Sequence, residues 1–117
     1  HKNNMNYNWT VTNLYTIDAN TEVNYVVNAL YNVTAMEQIE DEVYTATLSN
    51  SAQFEVKEGD SFVPYVDLTN DLVIEWIQTG LGQDGVYNIE ASVEGMVNSQ
   101  INPSVNPENT PLPENFN

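Results

Sequence analysis

Positive charge is nearly absent from this sequence. Only Lys2 and Lys57 oppose 17 acidic residues, and the 117-residue chain has a formal net charge of −15 at pH 7. Proteins bind DNA, RNA and anionic lipid headgroups largely by placing lysine and arginine against phosphate groups. The charge therefore predicts that neither nucleic acid nor a membrane is a partner, whereas a basic protein surface or a divalent cation would be attracted.

Cysteine is also absent, and the single histidine is His1. The fold therefore uses neither disulfides nor thiolate metal sites, and most hydrolase designs, which need a base beside the nucleophile, are excluded. The sequence has no arginine and no glycine-rich phosphate loop, so it lacks the groups that bind and neutralise a phosphate during phosphoryl transfer. We therefore expect a non-enzymatic protein with no catalytic, cofactor-binding or metal-binding residues.

Carboxylates are the remaining groups that can perform chemistry, and the densest cluster comprises Glu37, Glu40, Asp41 and Glu42. Such a cluster can in principle hold calcium or supply the acid pair of a glycosidase. It lacks the alternating ligands and the glycine of a calcium loop, which favours a solvated connection between two strands. The aromatic residues of the first half are likewise more typical of cross-strand packing than of a sugar-stacking platform.

The first half of the chain alternates with period two, which predicts an antiparallel β-sheet of about four strands. Residues 7–11 form one alternating run. Odd positions from Val23 to Ala35 are apolar and form a second run, with Asn24, Asn28 and Asn32 directed to solvent or another chain. Residues 43–48 and 53–56 predict two shorter strands. The second run carries only one charge, so we place it centrally, where no edge is exposed.

The period changes to helical after Pro64, and two helices are expected. Thr69 is a suitable N-cap for the first, whose apolar face contains Leu72, Val73, Trp76 and Ile77. Gly80 is placed to end this helix. A second helix is predicted from residue 84 or 85 to residue 100, with Val86, Ile89, Val93, Met96 and Val97 at helical spacing.

The last sixteen residues, NPSVNPENTPLPENFN, hold four of the five prolines and few residues that can build a core. Such a segment stays extended and loses little entropy when it docks. We therefore divide the chain into a flexible N-terminus (1–6), a single α+β domain (7–101) and an extended C-terminal arm (102–117). Val105, Leu112 and Phe116 are the predicted partner-binding anchors of the arm, and a passive disordered tail is the alternative.

One stretch resembles a known family. The segment FVPYVDLTNDLVIEWIQTGLG, residues 62–82, is similar to short uncharacterised proteins of tailed bacteriophages, with their F-x-P-[FY]-x-x-L-T motif and W-[IV] helix. The tryptophan-bearing first strand and the proline-rich tail match the same layout, although PLPENFN replaces the usual PLP-W terminus. The resemblance implies a virion component made in the host cytoplasm, and it brings no catalytic residue.

Together these features predict a phage structural or accessory protein, such as a decoration, neck or tail component, that docks on other phage structural proteins or on copies of itself. An acidic effector that binds a host protein, as a mimic of nucleic acid, is the main alternative. A carboxylate-based enzyme is a third. Repeated weak contacts across an assembly would hold a docking protein through avidity.

Overall fold

The computed structural model describes residues 5–19, 22–56, 62–103 and 108–116. Three strands come first, β1 (Asn6–Ala19), β2 (Glu22–Ile39) and β3 (Glu42–Gln53). A short 3₁₀ helix (Tyr65–Asp67) and a long helix, α1 (Asn70–Ile101), follow. The α+β class predicted from the change of period is confirmed, because strands occupy the first half and helix occupies the second.

The strands form an antiparallel sheet in the order β1-β2-β3. The central position of β2 is therefore confirmed, and its long apolar run is flanked by a strand on each side. β2 and β3 are joined by a two-residue turn at Glu40 and Asp41, since Ile39 pairs directly with Glu42. Glu40 adopts a φ of 54° there, which is the left-handed conformation that tight hairpin turns require.

The prediction of four strands is wrong, because the described residues contain three. Residues 43–48 and 53–56, predicted as separate strands, are replaced by the single strand β3. The polar residues Ser49, Asn50 and Ser51 do not interrupt it, since they pair with Asn32, Tyr31 and Leu30 of the longer β2. The polar residues at positions 49–51 therefore belong to an exposed part of a strand rather than to a turn. Residues 54–56, which were predicted to be in a strand, lie outside it.

The alternation predicted for β2 holds only in its second half. Ala29, Tyr31, Val33 and Ala35 are buried as expected. Near the start of the strand, however, the pairing with β1 shifts register, and Asn24 has a φ of 57°. A shift of one residue exchanges the two faces of a strand. As a result Val23 is 65% exposed and Val26 is buried, which reverses the expected pattern.

Helix α1 begins where the sequence predicts and bends where it does not. The Thr69 hydroxyl accepts a hydrogen bond from the Leu72 N–H at 3.2 Å, which confirms the N-cap. The helix then continues through Gly80, the predicted end, and breaks at Gly82, whose φ of 76° and ψ of 171° are not helical. Two helices separated by a loop are therefore not matched, because helical structure resumes immediately and gives one segment with a kink.

The core lies between α1 and one face of the sheet. Val73 and Ile77 precede the kink, Val93 and Val97 follow it, and all four are at most 2% exposed. Trp9 and Tyr31 stack beneath the helix with ring centroids 5.7 Å apart. Both arms of the kinked helix therefore bury their apolar side chains against the same sheet face.

Two side chains expected in the centre of the core lie at its margin. Trp76 is only partly buried and packs edge-on against Phe54, with ring centroids 6.0 Å apart. Ile74, rather than Trp76, is buried on the first helical arm, and Met96 is 43% exposed. The helix is rotated so that the smaller β-branched residues face the sheet and the large ring covers its edge.

Candidate docking surface

The face of the sheet opposite α1, called here the open face, consists of five cross-strand rows of three residues. The rows follow the pairing of the strands: Asn6–Met36–Thr45, Asn8–Thr34–Thr47, Thr10–Asn32–Ser49, Asn13–Leu30–Ser51 and Tyr15–Asn28–Gln53. None of these residues carries a charge, although the chain has a net charge of −15. In the described part of the chain no helix packs on this face, and its residues on β1 and β3 are exposed.

Short polar side chains on the open face bond to one another across the strands. The hydroxyls of Thr34 and Thr47 are 2.9 Å apart, and the Ser49 hydroxyl donates to the Asn32 Oδ1 at 2.7 Å. Cross-strand pairs of this type fix side-chain rotamers on a sheet surface. The open face is therefore an uncharged surface, rich in hydroxyl and amide groups, with cross-strand side-chain bonds at its centre.

Asn28 does not follow the expectation that the even-numbered asparagines of β2 point freely to solvent. Its Oδ1 is buried and has no hydrogen-bond partner among the described residues. Asn24 is exposed, as expected, and Asn32 is half-buried beside Ser49. The central strand of the open face is thus partly shielded by its neighbours on β1 and β3.

A shallow cavity of about 460 Å³ lies where β1 bulges. Thr12 is the unpaired residue between Val11 and Asn13, and its hydroxyl donates to the Leu30 carbonyl at 3.2 Å. The cavity is lined by Thr12, Leu30, Tyr31, Asn32, Ser49, Asn50 and Ser51. Leu30 gives it one apolar side chain among polar groups. Its chemistry suits an apolar anchor with hydrogen-bonding neighbours.

Two glutamates of α1 hold the helix on β1. The Trp9 Nε1–H donates to Glu90 Oε2 at 2.9 Å, and the Tyr7 hydroxyl donates to Glu94 Oε1 at 3.3 Å. Burial, followed by the charge of Glu94, raises the pKa of Tyr7 to about 12. Tyr7 therefore keeps its proton at neutral pH, and these carboxylates position the helix rather than face a substrate.

The acidic cluster of residues 37–42 forms the end of the β2–β3 hairpin. Glu40 and Asp41 are the turn residues, and Glu42 begins β3. In the described residues, no three acidic or histidine side chains lie close enough together to hold a metal ion. Glu40, Asp41 and Glu42 are exposed, and the first two connect β2 to β3, as the interpretation of this segment as a solvated connection requires.

The two predicted anchors of the C-terminal arm that lie in the described residues are exposed and stand outside the core. Leu112 and Phe116 are 67% and 63% exposed, and all of residues 108–116 are exposed. The Phe116 N–H donates to the Pro113 carbonyl at 3.0 Å. This bond closes a turn within the arm itself, and neither residue belongs to the core or to the open face. Val105, the third anchor, lies outside the described residues. Two apolar side chains of the arm are thus left available to another molecule.

The geometry defines a class: an acidic α+β domain in which one helix covers one face of a three-stranded meander and leaves an uncharged face open. Among the described helices, none is long and apolar enough to span a membrane. A family model described as a domain of unknown function (DUF7936) matches residues 4–111. The chain belongs to this family. No curated protein and no solved structure matches it.

Sequence reasoning identified the arm but did not identify the open face as a surface. The signal was present in the strands, where threonine, serine and asparagine alternate with apolar residues and no charge interrupts them. In an antiparallel sheet with one solvated face, that face usually carries charged residues as well as neutral polar ones. The absence of charge at these positions, in so acidic a chain, is the observation that reveals the surface.

Proposed function

We propose that this protein is a non-enzymatic structural or accessory protein of a bacteriophage particle, such as a decoration, neck or tail component. It acts by docking on other particle proteins through the open face and the C-terminal arm. The phage setting is supported by the resemblance of residues 62–82 to tailed-phage proteins. The docking mode is supported by the two surfaces described above.

The absence of charge on the open face is the observation that carries this proposal. A chain with a net charge of −15 repels other acidic surfaces, and each buried unpaired carboxylate at an interface costs several kcal/mol. The open face offers fifteen side chains, five from each strand, without that cost. It is therefore the part of the described surface that a neutral protein partner covers most easily.

The size of the open face indicates why the arm is needed. Three strands about 4.8 Å apart and ten residues at about 3.4 Å each give roughly 480 Å². A stable protein interface buries about 800 Å² on each partner. Leu112 and Phe116, both well exposed, supply the apolar anchors that the polar sheet lacks. The arm therefore adds contact area and apolar anchors to a sheet face that is smaller than a stable interface.

The arrangement of carboxylates favours docking over an acidic mimic of nucleic acid. A mimic needs a regular array of free carboxylates at phosphate-like spacing. Glu90 and Glu94 accept hydrogen bonds from Trp9 and Tyr7 within the fold. The acidic residues at positions 37–42 cluster instead at the hairpin end, far along the chain from both glutamates.

A charge placed on the open face tests the proposal. Thr34→Asp puts a carboxylate in the middle of the face, and we expect the variant to fold but to be depleted at least tenfold from washed phage particles, measured by quantitative mass spectrometry. Thr79→Asp is the matched control, because Thr79 is exposed on α1. The proposal fails if wild-type protein is absent from washed particles, or if both variants are incorporated equally.

Removal of residues 102–117 tests the arm separately. The arm's described residues are all exposed, so the melting temperature of the truncated domain is expected to change little, as measured by circular dichroism. Incorporation into particles is expected to fall because the anchors are lost. Normal incorporation would make the arm a passive extension, and a large drop in melting temperature would mean that it packs on its own domain.

A further inference from the structure

The two edges of the sheet are protected to different extents. On β1, the Asn70 side chain donates to the Trp9 carbonyl at 3.1 Å and accepts from the Val11 N–H at 2.7 Å, and the strand contains three register shifts. β3 pairs with β2 without a shift from Glu42 to Gln53. It contains no proline, and residues 43–54 carry no charge. Regular, uncharged edges of this kind accept further strands.

Hydrogen bonds determine which backbone groups of β3 point outward. The Phe54 N–H donates to the Val27 carbonyl at 2.9 Å, so the even-numbered residues of β3 face β2 and the odd-numbered residues face away from it. Two outward groups are already occupied. The Gln100 amide donates to the Thr45 carbonyl at 2.7 Å, and Asn50 Oδ1 accepts from the Ser51 N–H at 2.8 Å.

The Thr45 carbonyl and the Ser51 N–H, which are already bonded to side chains, are called here the capped groups. Between them, the outward N–H and C=O groups of Thr47 and Ser49 have no partner in the described part of the chain. Their side chains are short and lie on the open face. The uncapped part of the edge is therefore a neutral segment centred on Leu48.

The two capped groups, on Thr45 and Ser51, lie at equal distances along the strand on either side of Leu48. When a second β3 strand pairs antiparallel about a two-fold axis at that residue, Thr47 of each copy faces Ser49 of the other, and each pair exchanges two backbone hydrogen bonds. Thr45 then faces Ser51, so the two capped groups meet at the ends of the segment. Moving the axis by two residues in either direction brings a capped group into the centre and removes a bond.

We propose that the outer edge of β3 pairs with β3 of a second copy of this chain, antiparallel about Leu48, to form a six-stranded sheet. This inference rests on the proposed docking function and names one of its partners. A second copy is favoured because the uncapped groups are self-complementary and because residues 43–54 carry no charge in a chain of net charge −15. The paired sheet doubles the open face without adding charge to it.

The segment is short, so the association is weak and depends on salt. Two acidic copies repel each other, and added salt screens that repulsion beyond a distance of about 4 Å at roughly 0.5 M. Sedimentation equilibrium of the purified full chain from about 10 μM to about 1 mM is therefore the test. We expect the average mass to rise with concentration towards that of a dimer, and more steeply at high salt.

Proline variants identify the edge that pairs. Ser49→Pro removes an outward N–H without removing a backbone bond to β2, and the only bond to β2 that it costs is the one from the exposed Ser49 hydroxyl to Asn32. The strand is therefore expected to remain folded and the association constant to fall at least tenfold. Ser51→Pro is the matched control, because that N–H is already bonded to Asn50 and takes no part in the pairing. It is expected to dimerise as the wild type does.

Three outcomes overturn the inference. The first is a wild-type chain that remains monomeric up to about 1 mM at high salt. The second is a dimer that survives Ser49→Pro but is lost on Thr34→Asp, which would mean that open faces pack together. The third is a monomer whose incorporation into particles falls on Ser49→Pro, which would make the edge partner a different protein. None of these three outcomes counts against the proposed function itself, which fails if wild-type protein is absent from washed particles or if Thr34→Asp and Thr79→Asp are incorporated equally.

Discussion

The same three strands form both faces of the sheet, but the two faces differ in what covers them. The covered face has Ala29, Val33 and Ala35 at 0% exposure in its centre and is closed by both arms of α1. The open face has Thr34 and Asn32 in the equivalent positions, bonded to hydroxyls of β3. One face is covered by a helix of the same chain, and the other remains uncovered, with Asn28 Oδ1 left without a hydrogen-bond partner among the described residues.

This difference separates stability from binding. Burial of apolar surface stabilises the domain by about 25 cal/mol per Å², and nearly all of that burial lies on the covered face. Substitutions on the covered face should therefore change folding, whereas substitutions on the open face should change association. The predictions below test this division in order of decreasing effect.

A charge on each face gives the largest contrast. Tyr31 is 1% exposed, and Tyr31→Asp is expected to unfold the domain because a buried, unpaired carboxylate costs a large part of a total stability of about 5–15 kcal/mol. Thr34→Asp, three residues further along β2 on the open face, should cost about 1 kcal/mol or less. Urea denaturation measures both, and equal midpoints would contradict the assignment of the faces.

The kink at Gly82 should have an intermediate effect, because it lets both helical arms reach the covered face. An added Cβ meets no atom within 4 Å at either Gly80 or Gly82. Gly82→Ala should nevertheless destabilise by about 1–3 kcal/mol, since its φ of 76° and ψ of 171° are accessible almost only to glycine.

Gly80→Ala provides the control for the kink. Gly80 lies inside the continuous part of the helix, so alanine should stabilise by about 0.5–1 kcal/mol. Thermal melts of the two variants should therefore shift in opposite directions. A stabilising Gly82→Ala substitution would show that the kink is not required.

The smallest effect concerns Tyr7 at the margin of the covered face. An unfolded tyrosine ionises near pH 10.0, whereas burial and Glu94 raise the pKa of Tyr7 to about 12. The folded state therefore holds the proton more tightly, and the contribution of Tyr7 to stability should be fully present below pH 10 and be lost as the pH rises towards 12. Tyr7→Phe should reduce this decline, as measured by urea denaturation at several alkaline pH values.

Glu94→Gln sharpens the same prediction. It removes the charge but not the burial, and burial is the larger cause of the raised pKa. The pKa of Tyr7 should therefore fall only part of the way towards 10.0, which ultraviolet titration of the tyrosine side chains can follow. A complete return to the ordinary value would assign the effect to Glu94 alone.

Local features of the fold were predictable from the sequence. The alternation through Ala29–Ala35 and the Thr69 cap each depend on neighbouring residues, and both are confirmed. The number of strands was wrong because Ser49, Asn50 and Ser51 stay extended only through their pairing with β2. Their own composition suggests a break, and pairing with a distant strand is not a local property.

The remaining differences also come from contacts distant in the sequence. Gly80 and Gly82 are both acceptable places for a helix to bend, and docking on the sheet selects Gly82. The register shifts of β1 exchange Val23 and Val26 between the faces, and no pattern within β2 announces them. Leu112 and Phe116 are exposed as an unoccupied arm requires, and their role in binding stays a prediction.

The order of the elements has a consequence for synthesis on the ribosome. The three strands follow one another along the chain, whereas the bonds that attach α1 join Trp9 to Glu90 and Tyr7 to Glu94 across more than 80 residues. At about 5–20 residues per second, the ribosome needs roughly 3–10 s to add the ~50 residues between the end of β3 and the end of α1. During that interval the apolar face of the strands has no helix to cover it, and the acidic residues of the first half of the chain give neighbouring nascent chains charges of the same sign.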